Sequence, residues 1–97
     1  MSAAKPKVRL IRWLPPAENS LLGIEEFIAE DKPEAAVIFA GQVRSAVASL
    51  ATLPHRARAG RVATTRELVV HPNYIVVYRV TVETVDILRI RHAAQAQ

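Results

Sequence analysis

The sequence predicts an α+β fold: a two-layer sandwich in which an N-terminal strand and an αα-hairpin precede a three-stranded antiparallel meander. Three observations lead there. Two β-rich runs, residues 66–70 and 75–80, flank the compact connection His71-Pro72-Asn73. Proline fixes φ there and asparagine tolerates left-handed backbone, so the chain reverses. A third run, residues 85–90, follows too soon for anything but an antiparallel neighbour. Upstream, apolar residues recur at helical spacing on both sides of a break at Asp31-Lys32-Pro33-Glu34.

In chain order, residues 1–7 read as a flexible tail. Residues 8–13, VRLIRW, mix β-formers with arginine and read as a short edge strand. Trp13, the only tryptophan, reads as a lid on the core beside the first helix. Pro15-Pro16 stop the strand and suit the first turn of a helix. Along that helix Leu21, Ile24 and Ile28 form an apolar stripe, widened by Leu22 and Phe27, with Glu18, Glu25, Glu26 and Glu30 on the remainder. Asp31 as cap, Glu34 three residues on and Pro33 in the first turn read as the start of a second helix. Its core positions are Ala36, Ala40, Val43, Val47 and Leu50, and Pro54 ends it. Residues 55–63, HRARAGRVA, form a basic loop around Gly60, and the final AAQAQ has lost the strand pattern.

The strands carry one oddity. Residues 75–80 are apolar on both faces, as are Leu68-Val69-Val70 and Ile87-Leu88, whereas a sheet covered on one side alternates. The helices suffice for one layer. A partner polypeptide or a self-association surface is therefore expected to cover the other face, the other reading being a coiled sheet that wraps it with Trp13 and the tail.

At 97 residues the chain is one domain, and 51% hydrophobic content excludes disorder. With no cysteine, neither a disulfide framework nor a thiolate metal site is available, which fits a reducing cytoplasm. No apolar run approaches a membrane span, and the basic start leads to no signal-peptide core, so no membrane association is expected. The net charge of +4 is unevenly spread: Glu18, Glu25, Glu26, Glu30, Asp31 and Glu34 precede residue 35. Downstream, Arg56, Arg58, Arg61, Arg66, Arg79, Arg89 and Arg91 face only Glu67, Glu83 and Asp86, which favours acidic partners, polypeptide or nucleic acid.

Little of this is catalytic in pattern. His55, His71 and His92 have no paired-ligand spacing, the glycines are scattered, and Ser20, Ser45 and Ser49 lack an adjacent histidine, so no metal or cofactor is expected. One constellation remains: Arg66, Arg79, Arg89 and Arg91 with Tyr78 and His92 on the meander. Arginines that grip a phosphate beside a proton-moving histidine or tyrosine would suit an RNA-cleaving site; surface ion pairs are the other reading.

Residues 66–70, 71–80 and 85–92, RELVV, HPNYIVVYRV and VDILRIRH, with Gln95, closely resemble the ParE branch of the RelE/ParE toxins, the toxic halves of bacterial type II toxin–antitoxin modules. The strand at the start, Ile24-Glu25-Glu26-Phe27-Ile28-Ala29 and Pro33-Glu34-Ala35-Ala36 fit as well, so the resemblance covers nearly the whole chain. It implies a RelE/ParE-like fold and a ParD-like antitoxin whose C-terminal part lies over helices and sheet in a hetero-oligomer. It also implies growth arrest by blocking DNA gyrase, as in plasmid stabilisation modules; the RelE branch instead cuts messenger RNA on the ribosome.

The sequence bears on that choice. RNA-cleaving relatives commonly carry an arginine where Ile75 follows Tyr74, and tend to end in a basic cluster with a catalytic tyrosine or histidine. Here Arg91-His92 gives way to AAQAQ. ParE chains often end in a basic, aromatic tail, so the same tail puts potency in question. The expectation is a non-enzymatic inhibitor with no sequence-specific DNA binding of its own. Its toxic surface is assigned to Arg61, Arg66, Arg79, Arg91 and His92, and its antitoxin groove to Leu21, Leu22, Ile28, Val76 and Tyr78. The alternative is a ribosome-dependent endoribonuclease using Arg66, Arg79, Arg91 and His92. A third reading is a module that binds antitoxin without toxicity.

Overall fold

A computed structural model describes residues 7–94. The expected tail at 1–7, apart from Lys7, and the last three residues of AAQAQ, Gln95 among them, lie outside the described residues. The elements are β1 (Leu10–Trp13), α1 (Pro15–Asp31), α2 (Pro33–Ala48), a 3₁₀ turn (Ser49–Ala51), β2 (Arg58–Ala59), β3 (Arg66–His71), β4 (Tyr74–Val80) and β5 (Thr84–His92).

The helical hairpin covers one face of a five-stranded sheet of order β1-β5-β4-β3-β2. The meander β3-β4-β5 is antiparallel as the short connections require. β1 is an edge strand, but it pairs parallel to β5, Ile11 opposite Val85 and Trp13 opposite Ile87, because the whole hairpin serves as its crossover. The sheet is thus mixed. β2 is a two-residue edge within the basic loop, paired with Arg66 and Glu67.

Both helices begin on proline, whose φ is preset for the first turn. The expected capping box is not formed: Lys32 is the residue before α2, and no side chain caps it. Asp31 is instead the last residue of α1, so its carboxylate cannot reach forward. Leu21 and Ala17 of α1 meet Phe39, Val43 and Val47 of α2 and then Leu68, Val76, Tyr78, Val85, Ile87 and Ile90 of the sheet. Phe39 takes the buried place expected of Ala40, and Trp13 packs against the core with the Arg44 guanidinium 5.4 Å from its ring centre. Leu22 and Phe27 do not widen the α1 stripe; both are exposed.

Bulges explain the two-sided pattern of β3 and β5, whereas β4 has no extra residue and is buried on both faces from Ile75 to Tyr78. Val69 pairs with Ile75 and His71 with Tyr74, leaving Val70 extra; Val77 pairs with Arg89 and Tyr78 with Ile87, leaving Leu88 extra. An extra residue shifts the in–out phase, so consecutive apolar residues need not face opposite layers. The far face also differs from expectation. Ile75 and Val77 there are already buried, and Glu67, Arg91, Arg12 and Asp86 share the face as ion pairs. Val69 is open there, as is Leu10, which shares the face of Arg12 on β1, and ion pairs interrupt the apolar surface on that side.

Candidate functional site

Three places on the molecule gather candidate side chains. The first lies on the helix side, where β3 turns into β4. The turn is two residues long, which sets His71 opposite Tyr74; Tyr74 in turn sits opposite His92 on β5. Phe39 of α2 completes a row of rings, with centres 5.6 Å from His71 and 5.2 Å from Tyr74, and Tyr74 lies 5.3 Å from His92. These edge-on arrangements suit the ring quadrupoles. Nδ1 of His71 accepts the Asn73 N–H and Nδ1 of His92 accepts the Ala94 N–H, so each ring has a fixed orientation.

Two hollows flank Tyr74. One, of about 400 Å³, is lined by Phe27, Ile28, Ile38, Phe39 and His71 among others; the second, of about 330 Å³, by Ser20, Ile24, Phe27, Ile90 and His92 among others. Phe27 lines both and is 69% exposed, with Ile38 and Val37 exposed beside it and Leu22 exposed on α1. The hairpin and the aromatic end of the sheet thus carry part of the exposed apolar surface, next to two hollows.

The second place is the far face. Glu67 accepts from Arg91 Nη2 at 3.1 Å, from Arg58 Nη2 at 3.3 Å and from the Arg61 backbone N–H at 3.3 Å. Burial opposes the charge on Glu67, yet the Arg61 N–H, Arg91 and Arg58 together hold its carboxyl below the ordinary value. Asp86 is held low first by its hydrogen bond from Arg12, against burial, with the Thr84 hydroxyl and the charges of Arg12 and Arg79 adding. Arg12 grips Asp86 with Nε at 2.9 Å and Nη2 at 2.8 Å.

The third place is the opposite end of the sheet, beside the basic loop. Arg66 Nη1 donates to the carbonyls of Ala57 at 2.7 Å and His55 at 3.4 Å, pinning the loop to β3. Arg79 Nε donates to the Thr64 hydroxyl at 3.3 Å. Below them the Tyr78 hydroxyl donates to the Pro54 carbonyl at 2.7 Å, and burial pushes its pKa up despite Arg66 nearby.

The residues singled out from the sequence thus divide. Arg61, Arg66 and Arg79 gather around the basic loop. Arg91 is buried against Glu67 on the far face, and His92 belongs to the aromatic row. Among the residues assigned from the sequence to an antitoxin groove, Leu22 is exposed and Ile28 lines the larger hollow. Leu21, Val76 and Tyr78 are corrected: they are buried to 1% exposure or less, pointing into the core between sheet and hairpin, and have no surface to offer. Pairing His71 with Tyr74 across a two-residue turn was the signal that could have found the ring row.

No group of three His, Cys, Asp or Glu side chains fit to hold a metal ion occurs among the described residues. No helix among them is long and apolar enough to cross a membrane.

Comparison with known proteins gives a consistent picture. The family model described as the ParE toxin of the type II toxin–antitoxin system parDE matches residues 11–97. The chain is 42% identical over 83 residues to Toxin RelE2 of Caulobacter vibrioides, covering 86% of this chain and 93% of that one. In fold it resembles a chain of the chromosomal ParDE toxin–antitoxin system of P. aeruginosa, with a TM-score of 0.78, 20% identity and coverage of 89% and 97%. It is also similar to a chain of the RelBE2 toxin–antitoxin complex of Mycobacterium tuberculosis, with a TM-score of 0.63, 25% identity and coverage of 94% and 98%.

Proposed function

This chain belongs to the ParE family of type II toxin–antitoxin toxins, and from that premise we propose that it acts by binding, blocking DNA gyrase, and that a ParD-like antitoxin holds it inactive. The observation that carries the non-enzymatic reading is the dispersal of the cations that a ribosome-dependent endoribonuclease would need together. Arg66 pairs in register with Tyr78 on the helix side, whereas Arg79 pairs with Asp86 and Arg91 with Ile75 on the far side. His92 is at the other end of the sheet from Arg66 and Arg79. A cleavage site stabilises the charge that develops on one phosphate, so its donors must converge on one point. Here Arg91 is neutralised by Glu67 and flanked by apolar Ile75 and Val77.

The antitoxin is assigned to the open apolar surface: Leu22 and Phe27 of α1, Ile28, Val37 and Ile38, and the hollows on either side of Tyr74. An amphipathic helix laid there would bury its apolar face against the hairpin. The toxic contact is assigned to the basic end, Arg61, Arg66 and Arg79, with Arg91 as scaffold and His92 within the antitoxin groove.

A supercoiling assay with purified gyrase tests this. Added chain is expected to inhibit supercoiling and to accumulate cleaved plasmid, and a cognate antitoxin to reverse both. Untouched gyrase together with cleaved messages on translating ribosomes would overturn the reading in favour of the nuclease.

A further inference from the structure

The helical hairpin and the basic loop carry opposite charge. Residues 15–48 hold six acids against Lys32 and Arg44, and among the described residues none of the six enters an ion pair. Residues 52–66 hold four arginines and no acid. Of these, Arg58 pairs with buried Glu67, whereas Arg56 and Arg61 are exposed and have no carboxylate partner among the described residues.

Both also show apolar side chains among their charges. On the hairpin Phe27 and Ile38 are more than half exposed across one hollow, and a second, of about 250 Å³, sets Phe27 and Ile28 beside Glu30, Asp31 and Lys32. On the loop Leu53, whose carbonyl accepts the Arg56 N–H, and Val62, next to Arg61, are 60% and 62% exposed. Apolar patches rimmed by charge suit contact with another chain. Within one molecule the two cannot meet. The Phe27 patch borders Tyr74 at the start of β4, whereas Arg66, opposite Tyr78, fastens the loop toward the other end of that strand.

We propose that in the absence of another partner a second copy of this chain occupies the hairpin surface, its basic loop laid against Phe27 and Ile38 and its arginines against the acids around them. Charge decides among the arrangements. Hairpin on hairpin brings acid against acid, and loop on loop brings arginine against arginine, so both two-fold pairings are disfavoured. Acidic hairpin against basic loop is attractive, and it is a head-to-tail contact. One hairpin and one loop stay open at the two ends, so association continues beyond a pair. Each contact covers the hairpin surface of one copy and the basic loop of the next, so the concentrated free chain masks itself. The proposal goes beyond the antitoxin and gyrase readings, and its test contains neither protein, so they fail separately.

The test is light scattering of the full-length, antitoxin-free chain over a range of concentrations. In low salt the average mass is expected to climb with concentration past twice the 10.7 kDa of the monomer. In about 1 M salt, where the Debye length is about 3 Å, it is expected to fall back toward the monomer. Phe27→Lys closes the hairpin to arginine, and Arg56→Gln with Arg61→Gln removes the free charge of the loop; all three positions are exposed. Each variant alone is expected to be monomeric, with an unchanged melting curve to exclude a folding defect. Mixed in equal amounts, they are expected to form a one-to-one pair and stop there, because each keeps one intact half of the contact. A wild type that stays monomeric in low salt would overturn the proposal, and if it then binds a cognate antitoxin through the hairpin, that surface belongs to the antitoxin alone. A mass that levels off at a dimer, association kept by both variants, or a mixture no heavier than its components would each overturn it as well.

Discussion

Arg91 of β5 and Glu67 of β3 reach each other over the intervening strand β4, Nη2 to Oε1 at 3.1 Å, with side chains only 4% and 6% exposed. The pair ties together strands that share no backbone hydrogen bonds. Glu67 extends the tie to the basic loop through Arg58 and the Arg61 N–H. Arg91→Ala leaves a buried carboxylate with a weaker set of partners, and is expected to cost about 3 kcal/mol, the lower end for breaking a buried pair because Arg58 remains. That corresponds to a fall in Tm of roughly 15 °C for a domain of this size. Thermal denaturation measures the loss, and gyrase inhibition assayed well below the lowered Tm is expected to persist. Loss of inhibition in a variant with wild-type Tm would instead place Arg91 on the toxic surface.

The two low carboxyl groups fix the response to acid. Glu67 and Asp86 are both held below the ordinary carboxylate range in the folded chain. The unfolded chain therefore binds protons first as pH falls. Their stabilisation is complete above the unfolded values of about 4 and is lost as pH drops through the lower folded ones. Tm is expected to be flat from about pH 7 to 5 and to fall below about pH 4. In Glu67→Gln with Asp86→Asn, Tm at neutral pH should be lower and the acid slope shallower; an unchanged slope would remove these groups from the linkage.

Much of this architecture is legible in the sequence, and the failures have physical causes. The meander, the hairpin and the edge position of β1 follow from turn chemistry and periodicity at Pro72-Asn73, Pro15-Pro16 and Pro33. Parallel pairing of β1 with β5 does not, because it joins residues more than seventy positions apart with no local signal. The apolar doublets Val69-Val70 and Ile87-Leu88 suggest two open faces only if strands are straight, and bulges at Val70 and Leu88 remove that premise. For the site, the five residues read from the sequence as one surface divide, Arg61, Arg66 and Arg79 lying at the basic-loop end, Arg91 buried against Glu67 and His92 at the other end of the sheet. Residue type could not tell that Val76 and Tyr78 point inward, since one residue of register exchanges the faces of a strand.

Tyr78 offers a clean measure of one buried polar contact. Its ring is fully buried and its hydroxyl donates to the Pro54 carbonyl at 2.7 Å, fixing the chain where α2 gives way to the basic loop. Tyr78→Phe keeps the packing and strands the carbonyl, so a loss of about 1–2 kcal/mol in denaturant unfolding is expected, with an unchanged m-value. Faster proteolysis within residues 55–63 should accompany it.

Gly60 is required by close approach. A Cβ there would lie 2.2 Å from the Thr65 hydroxyl, which is held in place by its bond to the Val62 carbonyl. Gly60→Ala is expected to destabilise by about 1–3 kcal/mol through overpacking. Adding Thr65→Ala removes the clashing hydroxyl, so the double variant should be more stable than the sum of the single losses. Strict additivity in that cycle would sink the steric account.

Under the proposed docking, antitoxin binding and stability are separable on the hairpin, because the exposed apolar residues are not the buried ones. Phe27 and Ile38 flank the larger hollow and are more than half exposed, whereas Leu21, on the same helix as Phe27, is buried. Phe27→Asp and Ile38→Asp are expected to leave stability within about 0.5 kcal/mol of wild type. Each charge would be desolvated without a partner under a docked apolar helix, weakening cognate antitoxin binding by roughly a hundredfold or more, about 3 kcal/mol. Leu21→Ala should do the reverse, losing about 2–5 kcal/mol of stability through a core cavity while leaving the antitoxin affinity of the folded fraction near wild type. Titration calorimetry beside thermal melts distinguishes the two classes. If Phe27→Asp binds antitoxin as the wild type does, the docking surface lies elsewhere and the open residues of the hairpin need another explanation.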